Sequence, residues 1–335
     1  MNVRRWLLWF GSAALTVLLI YVLIKVSKLD FRVTLQQLRS VSGIAFTKLV
    51  LLTALHVYLS SLKWRTVDAS LRGPSDSAPS RTMSYALTST GVALGQILPV
   101  QLSMSAARTL GTYFHGKAFK RGTGGTLFEQ SFDVLIVGFL AIASGVTRML
   151  RGGGIMWTVC ALAATALSWA AIGPAIRLIR ERANSLASRT GANPNRMLRS
   201  LAGLQQSGLL NARLARQLMM LSAGRFAIQV LMAGQAAEAI GVNIPLWRLA
   251  AAMPFVIIAC VIVATPGGLG VNELSYAATL HMFGTPLHVG AQWALANRFL
   301  VASSCFVVAA SGIAVLGLTK LMTARAPVNV MQEEQ

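Results

Sequence analysis

The amino-acid sequence predicts an all-α protein that crosses a membrane several times. Of its 335 residues, 55% are hydrophobic and only 12% are charged, and the mean hydropathy is +0.61. Soluble domains carry about twice that charged fraction. Several windows of about 20 residues contain no charge, which is the length that a helix needs to cross about 30 Å of hydrocarbon. Together these observations predict a polytopic membrane protein.

The basic residues lie between the apolar segments rather than within them. The formal net charge is +20, which in a soluble protein would suggest nucleic acid as a partner. Here the lysines and arginines follow the pattern of loops that face anionic lipid headgroups. Because no basic soluble domain remains, we expect membrane lipid as the partner and no nucleic acid.

Six segments have the length and composition of full transmembrane helices. The first begins like a signal peptide, but its apolar run is too long and no small-residue cleavage site follows, so we expect an uncleaved helix. After it, Phe31, Leu35 and Leu38 recur at helical spacing, which predicts a short interfacial helix. The six predicted spans are residues 6–24, 44–62, 126–147, 155–175, 217–236 and 292–318.

Three polar stretches separate or follow the spans. Residues 72–81 form a loop rich in proline and serine, and residues 176–214 form the longest connection, which is rich in arginine. Residues 323–335 are predicted to be a polar C-terminal tail. We therefore expect a single transmembrane domain, residues 1–322, followed by this tail.

Two further apolar stretches, residues 83–112 and 248–283, are interrupted in the same way, and we call them the first and second broken segments. In each, an apolar arm is followed by a proline (Pro99 or Pro266) among small residues, and then by a second arm with one charge (Arg108 or Glu273). Interrupted segments in corresponding halves of a chain indicate an inverted repeat with a site near the membrane midplane.

Two topologies are open for the broken segments. If only the first arm of each crosses the membrane, the protein has eight simple transmembrane helices, and its loop lysines and arginines divide almost evenly between the two sides. If each segment is a re-entrant hairpin, the loop lysines and arginines divide between the two sides by about three to one. The positive-inside rule therefore favours six full spans plus two re-entrant hairpins, with the N-terminus, residues 176–214 and the C-terminus in the cytoplasm.

Six charged residues fall at predicted membrane depth, where each costs at least about 2.5–3.5 kcal/mol to insert. Glu129 and Asp133 are four residues apart, so both carboxylates share one helix face. Adjacent carboxylates repel unless a cation offsets them, and Arg108 is the expected partner. Glu273 is expected to meet Arg298 or Arg225. The set indicates either a polar transport site or ion pairs that only hold helices together.

Three glycines in the second broken segment, Gly267, Gly268 and Gly270, allow non-helical backbone. At membrane depth such backbone survives only where it lines a cavity or is buried in protein. Free N–H groups at these glycines would suit an anionic headgroup.

Catalytic and metal-binding patterns are absent from the sequence. The four histidines show no paired metal-ligand spacing, the three cysteines lie singly in apolar runs, and no phosphate-binding glycine loop or nucleophile motif occurs. We expect no catalytic residue, no metal and no cofactor.

Four short motifs, in this order along the chain, resemble a known family. They are LKWR at residues 62–65, LGQILPV at residues 94–100 with Arg108 after it, EQSFD at residues 129–133, and TPGGLGVNE at residues 265–273. They are similar to elements of the flippase-like transmembrane domain of lysylphosphatidylglycerol synthases, which also occurs alone. The last motif is the most specific, and the resemblance covers nearly the whole chain.

The resemblance implies a lipid translocator or lipid-transport accessory protein in a bacterial inner membrane, which moves a modified phospholipid or lipid-linked headgroup between leaflets. The soluble aminoacyl-transferase domain of the two-part synthases is not in this sequence, so the resemblance does not assign lipid aminoacylation to it. By position the resemblance points to nine residues, and Arg298 joins them as the expected partner of Glu273. The nine are Pro99, Arg108, Glu129, Asp133, Pro266, Gly267, Gly268, Gly270 and Glu273.

Two other functions are left open by the sequence. An integral-membrane transferase that acts on lipid-linked sugar or polyprenyl phosphate would need Glu129 and Asp133 as a metal-binding pair. A membrane partner of a soluble lipid-modifying enzyme or glycosyltransferase would bind that enzyme through residues 176–214.

Overall fold

The computed structural model describes residues 3–27, 30–71, 79–113, 119–189, 209, 211–263 and 265–325. Within these ranges the chain forms eleven α-helices, one turn of 3-10 helix and no β-strand, which confirms the all-α fold class. In chain order the helices are α1 (Val3–Ser27), α2 (Phe31–Arg39), α3 (Gly43–Leu71), α4 (Arg81–Leu94), α5 (Val100–Tyr113), α6 (Phe119–Met149), α7 (Gly154–Arg189), α8 (Ala212–Ala239), α9 (Leu246–Ile262), α10 (Val271–Met282) and α11 (Leu287–Arg325).

Four helices in the described part of the chain are both long enough and apolar enough to cross a membrane. They contain the apolar stretches Gly43–Leu71, Thr123–Met149, Gly154–Arg182 and Leu287–Thr319, and each coincides with a predicted span. The predicted span at residues 217–236 lies in α8, which is long but less apolar and has much of its surface buried among other helices. The chain is therefore a helical, multi-pass membrane protein.

The first broken segment folds as two short antiparallel helices, α4 and α5. Gly91 of α4 lies against Met104 and Ala107 of α5, and Leu87 lies against Gly111, so the pairing runs in opposite directions. Each arm has 14 residues, or about 21 Å, which is shorter than the hydrocarbon core of about 30 Å. The break falls before Pro99, because proline has no N–H with which to continue the ladder of α4.

The second broken segment has the same plan with a longer break. Its arms are α9, of 17 residues, and α10, of 12 residues, and both are shorter than about 30 Å. Between them Pro266–Gly268 forms the 3-10 turn. Gly267 and Gly270 have φ of 58° and 79°, a left-handed conformation that side chains with a Cβ rarely adopt. The three glycines of the motif therefore make this turn possible.

The two broken segments pack into the bundle in matching ways. The second arm of each lies against the long helix that follows it, α5 on α6 and α10 on α11. The first arm of each lies against the long helix of the other half, α4 on α11 and α9 on α6. Helices α3 and α8, which precede the broken segments, pack against each other at the centre.

Two predicted boundaries differ from the structure, and one predicted helix is present. The predicted connection 176–214 is helical as far as Arg189, because its first residues are mainly arginine, leucine and alanine, which are strong helix formers. Residues 190–208 and 326–335 lie outside the described residues, and α11 extends to Arg325. The predicted short helix is α2, which Asp30 caps by accepting the N–H of Arg32 at 2.8 Å.

The turn in the second broken segment gives a test of the fold. We expect Gly267→Ala to lower the thermal stability of the protein in detergent, since a left-handed residue with a Cβ costs about 1–2 kcal/mol and the new methyl group would collide with the carbonyl of Gln96. Gly138→Ala on α6 is the matched control, because a methyl group there meets open space. Equal melting temperatures for Gly267→Ala and the wild type would contradict this account of the turn.

Candidate functional site

A cavity of about 400 Å³ lies where the two broken segments approach each other. Gln96 and Pro99 of the first segment and Thr265, Gly267 and Gly268 of the second contribute to its wall. The rest of the wall comes from the arms of both segments, α4, α5, α9 and α10, and from α3, α6, α8 and α11. The structure therefore brings the breaks of two segments that are distant in sequence to one cavity, whose mainly apolar wall contains a few charged and polar groups.

Arg298 of α11 joins the two breaks. Its Nη2 donates to the carbonyl oxygen of Gln96 at 2.8 Å and to that of Gly267 at 2.5 Å. We call this pair of hydrogen bonds the Arg298 bridge. A carbonyl at a break has no helical N–H partner, and leaving it unsatisfied in a dry interior is costly, so the guanidinium takes the place of the missing donors.

Glu273 stabilises the same turn from the other side. Its Oε2 accepts the N–H of Gly270 at 2.7 Å, which caps the start of α10. Its Oε1 lies 3.9 Å from Nε of Arg298 and is buried with no hydrogen-bond partner among the described residues. Of the two cations expected near Glu273, the structure brings Arg298 to it, whereas Arg225 lies beside Asp133.

Arg108 is fully buried and makes several contacts. Its Nη1 lies 2.5 Å from Oε2 of Glu129, and its Nη2 donates to the carbonyl and the hydroxyl of Ser60 at 3.1 and 3.2 Å. Its guanidinium also lies 5.2 Å from the ring centre of Trp64, within cation–π range. Arg108 and Glu129 therefore hold α3, α5 and α6 together.

Asp133 lies between two cations from other helices. Nζ of Lys63 is 2.6 Å from its Oδ1, and Nη1 of Arg225 is 2.6 Å from its Oδ2. The Nη2 of Arg225 also lies 3.4 Å from Nε2 of His56. Arg108 thus meets only one of the two carboxylates on the shared face of α6. With a cation at each oxygen, the Asp133 carboxylate is poorly suited to hold a metal ion.

Lys63 and His56 are site residues that the sequence reasoning missed. The predicted second span ends at residue 62, and Lys63 stands in the LKWR motif at its end, where the sequence indicates no role for it. In the structure α3 continues to Leu71, and the Lys63 side chain is completely buried. A lysine inside a helix of this length was the available signal.

The charged side chains differ in how far they face the cavity. Those of Asp133, Arg225 and Arg298 line it and are 28%, 14% and 13% exposed, whereas those of Lys63 and Arg108 have no exposed surface. The Gly268 and Gly270 N–H groups, expected to be free, donate to the carbonyl of Thr265 and to Glu273. The groups best placed to meet a ligand are therefore on α6, α8 and α11.

The long apolar helices define the chain as a polytopic, helical membrane protein, and the cavity between its broken segments has charged groups in its wall. Within that class, the chain belongs to the family described as the lysylphosphatidylglycerol synthase TM region, whose model matches residues 9–324. This confirms the family that the sequence motifs indicate, and it fits a membrane protein of lipid metabolism. Comparisons with curated proteins and with solved structures gave no match.

The buried pair of Arg108 and Glu129 can be tested with a double-mutant cycle. We expect Arg108→Gln to destabilise the protein by about 3–5 kcal/mol, because it leaves the Glu129 carboxylate buried without a cation. The double variant with Glu129→Gln should recover much of that loss, since neither group is then charged. The measurement is thermal unfolding in detergent.

Arg177→Gln on the exposed surface of α7 is the control for this cycle, and it should change the melting temperature little. Strictly additive effects of the two buried substitutions would contradict a direct pair.

Proposed function

We propose that this protein moves a lipid between the two leaflets of a membrane, with the headgroup passing through the cavity between the broken segments. The observation that carries the proposal is the Arg298 bridge, because it links non-helical backbone from both segments at the wall of one cavity that contains charged groups in an apolar bundle. Non-helical backbone at membrane depth is typical of transport sites. Membership of a lipid-metabolism family supports lipid as the substrate.

The proposal includes two re-entrant hairpins that form an inverted repeat. Two observations support it. All four arms are shorter than the hydrocarbon core. If α3, α4, α5 and α6 are matched in order with α8, α9, α10 and α11, the packing contacts described above occur in equivalent pairs. In transporters built this way, two similar halves move against each other around a fixed site. Eight simple crossings would require the first arms, α4 of 14 residues and α9 of 17 residues, to cross alone, although they are only about 21 and 26 Å long.

In the proposed mechanism the headgroup enters the cavity while the acyl chains stay in the bilayer. A headgroup that bonds to Arg298 competes with the carbonyls of Gln96 and Gly267 for the same guanidinium. Loss of these bonds would free both breaks to move, and their re-formation would follow release of the headgroup on the other side. Arg298 would then couple headgroup binding to movement.

The proposed location is a bacterial inner membrane, with the N-terminus, residues 176–214 and the C-terminus in the cytoplasm. The arginines of residues 176–214 would there face anionic lipid headgroups. A soluble lipid-modifying enzyme or glycosyltransferase is a further proposed partner, which would supply the modified lipid.

Lipid movement can be measured directly in reconstituted vesicles. The protein is reconstituted with a fluorescent phospholipid, and the fraction that an external reductant quenches is followed over time. We expect wild-type vesicles to expose inner-leaflet lipid much faster than protein-free vesicles. Arg298→Gln should slow this by about tenfold or more, because a charge-assisted hydrogen bond contributes about 1.5–3 kcal/mol.

Arg177→Gln serves as the control in this assay and should match the wild type. Folded wild-type protein that moves lipid no faster than empty vesicles would overturn the proposed function. If Arg298→Gln moves lipid as fast as the wild type, the Arg298 bridge does not couple headgroup binding to movement.

A further inference from the structure

We infer that the cavity receives a headgroup with one net negative charge, and that Arg225 contacts it in addition to Arg298. The inference rests on the proposed function and names the substrate class of the same site. Three observations carry it: the balance of charges around the cavity, the state of the carboxylates, and the hydrogen-bonding groups of Arg225 that have no partner.

The charges around the cavity do not cancel. Four charged side chains line it, namely Glu129, Asp133, Arg225 and Arg298, and their ion-pair partners are Arg108, Lys63 and Glu273. In their charged forms these are four cations and three carboxylates, since Asp133 is shared by Lys63 and Arg225. An excess charge inside a membrane is costly unless it is compensated. A ligand with one negative charge would supply the missing compensation.

The carboxylates around the cavity offer little to a cationic headgroup. Both oxygens of Asp133 already have a cation at 2.6 Å. Glu129 is 1% exposed and paired with Arg108. The Oε1 of Glu273 has only the 3.9 Å ion pair with Arg298, and Glu273 does not line the cavity. An ammonium group would therefore have to displace a protein cation, and it would add to the existing excess of positive charge.

Arg225, in contrast, has N–H groups that are available for further hydrogen bonds. Its Nη1 is used by Asp133, its Nη2 makes only the 3.4 Å contact with His56, and its Nε has no hydrogen-bond partner among the described residues. The Nδ1 of His56, a buried side chain, is also without a partner there. A phosphate oxygen is one of the acceptors whose geometry a guanidinium matches well. The volume of about 400 Å³ falls within the range of sites for small molecules.

The structure also predicts that Arg225 can be replaced without loss of the fold. Asp133 would keep Lys63 as its partner, and the remaining three cations would balance the three carboxylates. Arg225→Gln is thus a fair test of ligand recognition, and Arg225→Lys, which keeps the charge, is its matched control.

The first measurement is the thermal stability of the detergent-solubilised protein with added phosphatidylglycerol, which is anionic, or phosphatidylcholine, which is zwitterionic. A ligand that binds only the folded state raises the melting temperature. We expect phosphatidylglycerol to bind the wild type and Arg225→Lys about tenfold more tightly than phosphatidylcholine does, and we expect Arg225→Gln to lose that preference. Equal stabilisation by the two lipids, or a preference retained by Arg225→Gln, would overturn the inference.

The second measurement is the vesicle assay with fluorescent forms of the same two lipids. Faster movement of phosphatidylglycerol, with the preference lost in Arg225→Gln, supports the inference. Equal movement of both lipids overturns the inference but leaves lipid translocation standing. A third outcome is that neither lipid moves, while phosphatidylglycerol still stabilises the wild type and does not stabilise Arg225→Gln. That outcome supports the binding site for an anionic headgroup and contradicts lipid translocation.

A cationic aminoacylated phosphatidylglycerol provides the last comparison in both assays. If it binds or moves in preference to phosphatidylglycerol itself, the inference is wrong.

Discussion

The structure depends on one constraint: backbone polar groups that a buried break leaves without helical partners must find other hydrogen-bond partners within the protein. The Arg298 bridge meets this need for the carbonyls of Gln96 and Gly267, and Glu273 meets it for the N–H of Gly270. These two side chains therefore stabilise the breaks of both segments. The cavity lies beside the breaks, and residues from both of them line it.

The two carboxylates of α6, Glu129 and Asp133, each have a cation from another helix. Glu129 is paired with α5, and Asp133 is paired with both α3 and α8. Each pair therefore ties α6 to a different neighbour, although the two carboxylates are only one turn apart. Such pairs hold the bundle in register, because moving one helix would leave a charge buried alone. These pairs therefore connect α6 to α3, α5 and α8.

Much of this fold was predictable from local sequence features. Pro99, Pro266 and the glycines after it act on their own backbone, so both breaks could be located from the sequence. The pairing of Glu273 with Arg298 was one of two expected alternatives. The partners of Asp133 could not be predicted, because they depend on how α3 and α8 pack around α6. Nor could the end of α7 be predicted, since a fall in hydropathy marks the end of an apolar stretch and not the end of a helix.

The Arg298 bridge also determines which positions of the site are free to change in evolution. Gln96 contributes only its backbone oxygen to the bridge, and every residue has such an oxygen. Another residue at position 96 can therefore accept the same hydrogen bond, whatever its side chain. Position 298 has no such freedom, because it serves two stretches of chain about 170 residues apart (Gln96 to Gly267). Substitution of this one arginine would therefore remove a backbone hydrogen bond from both halves of the protein at once.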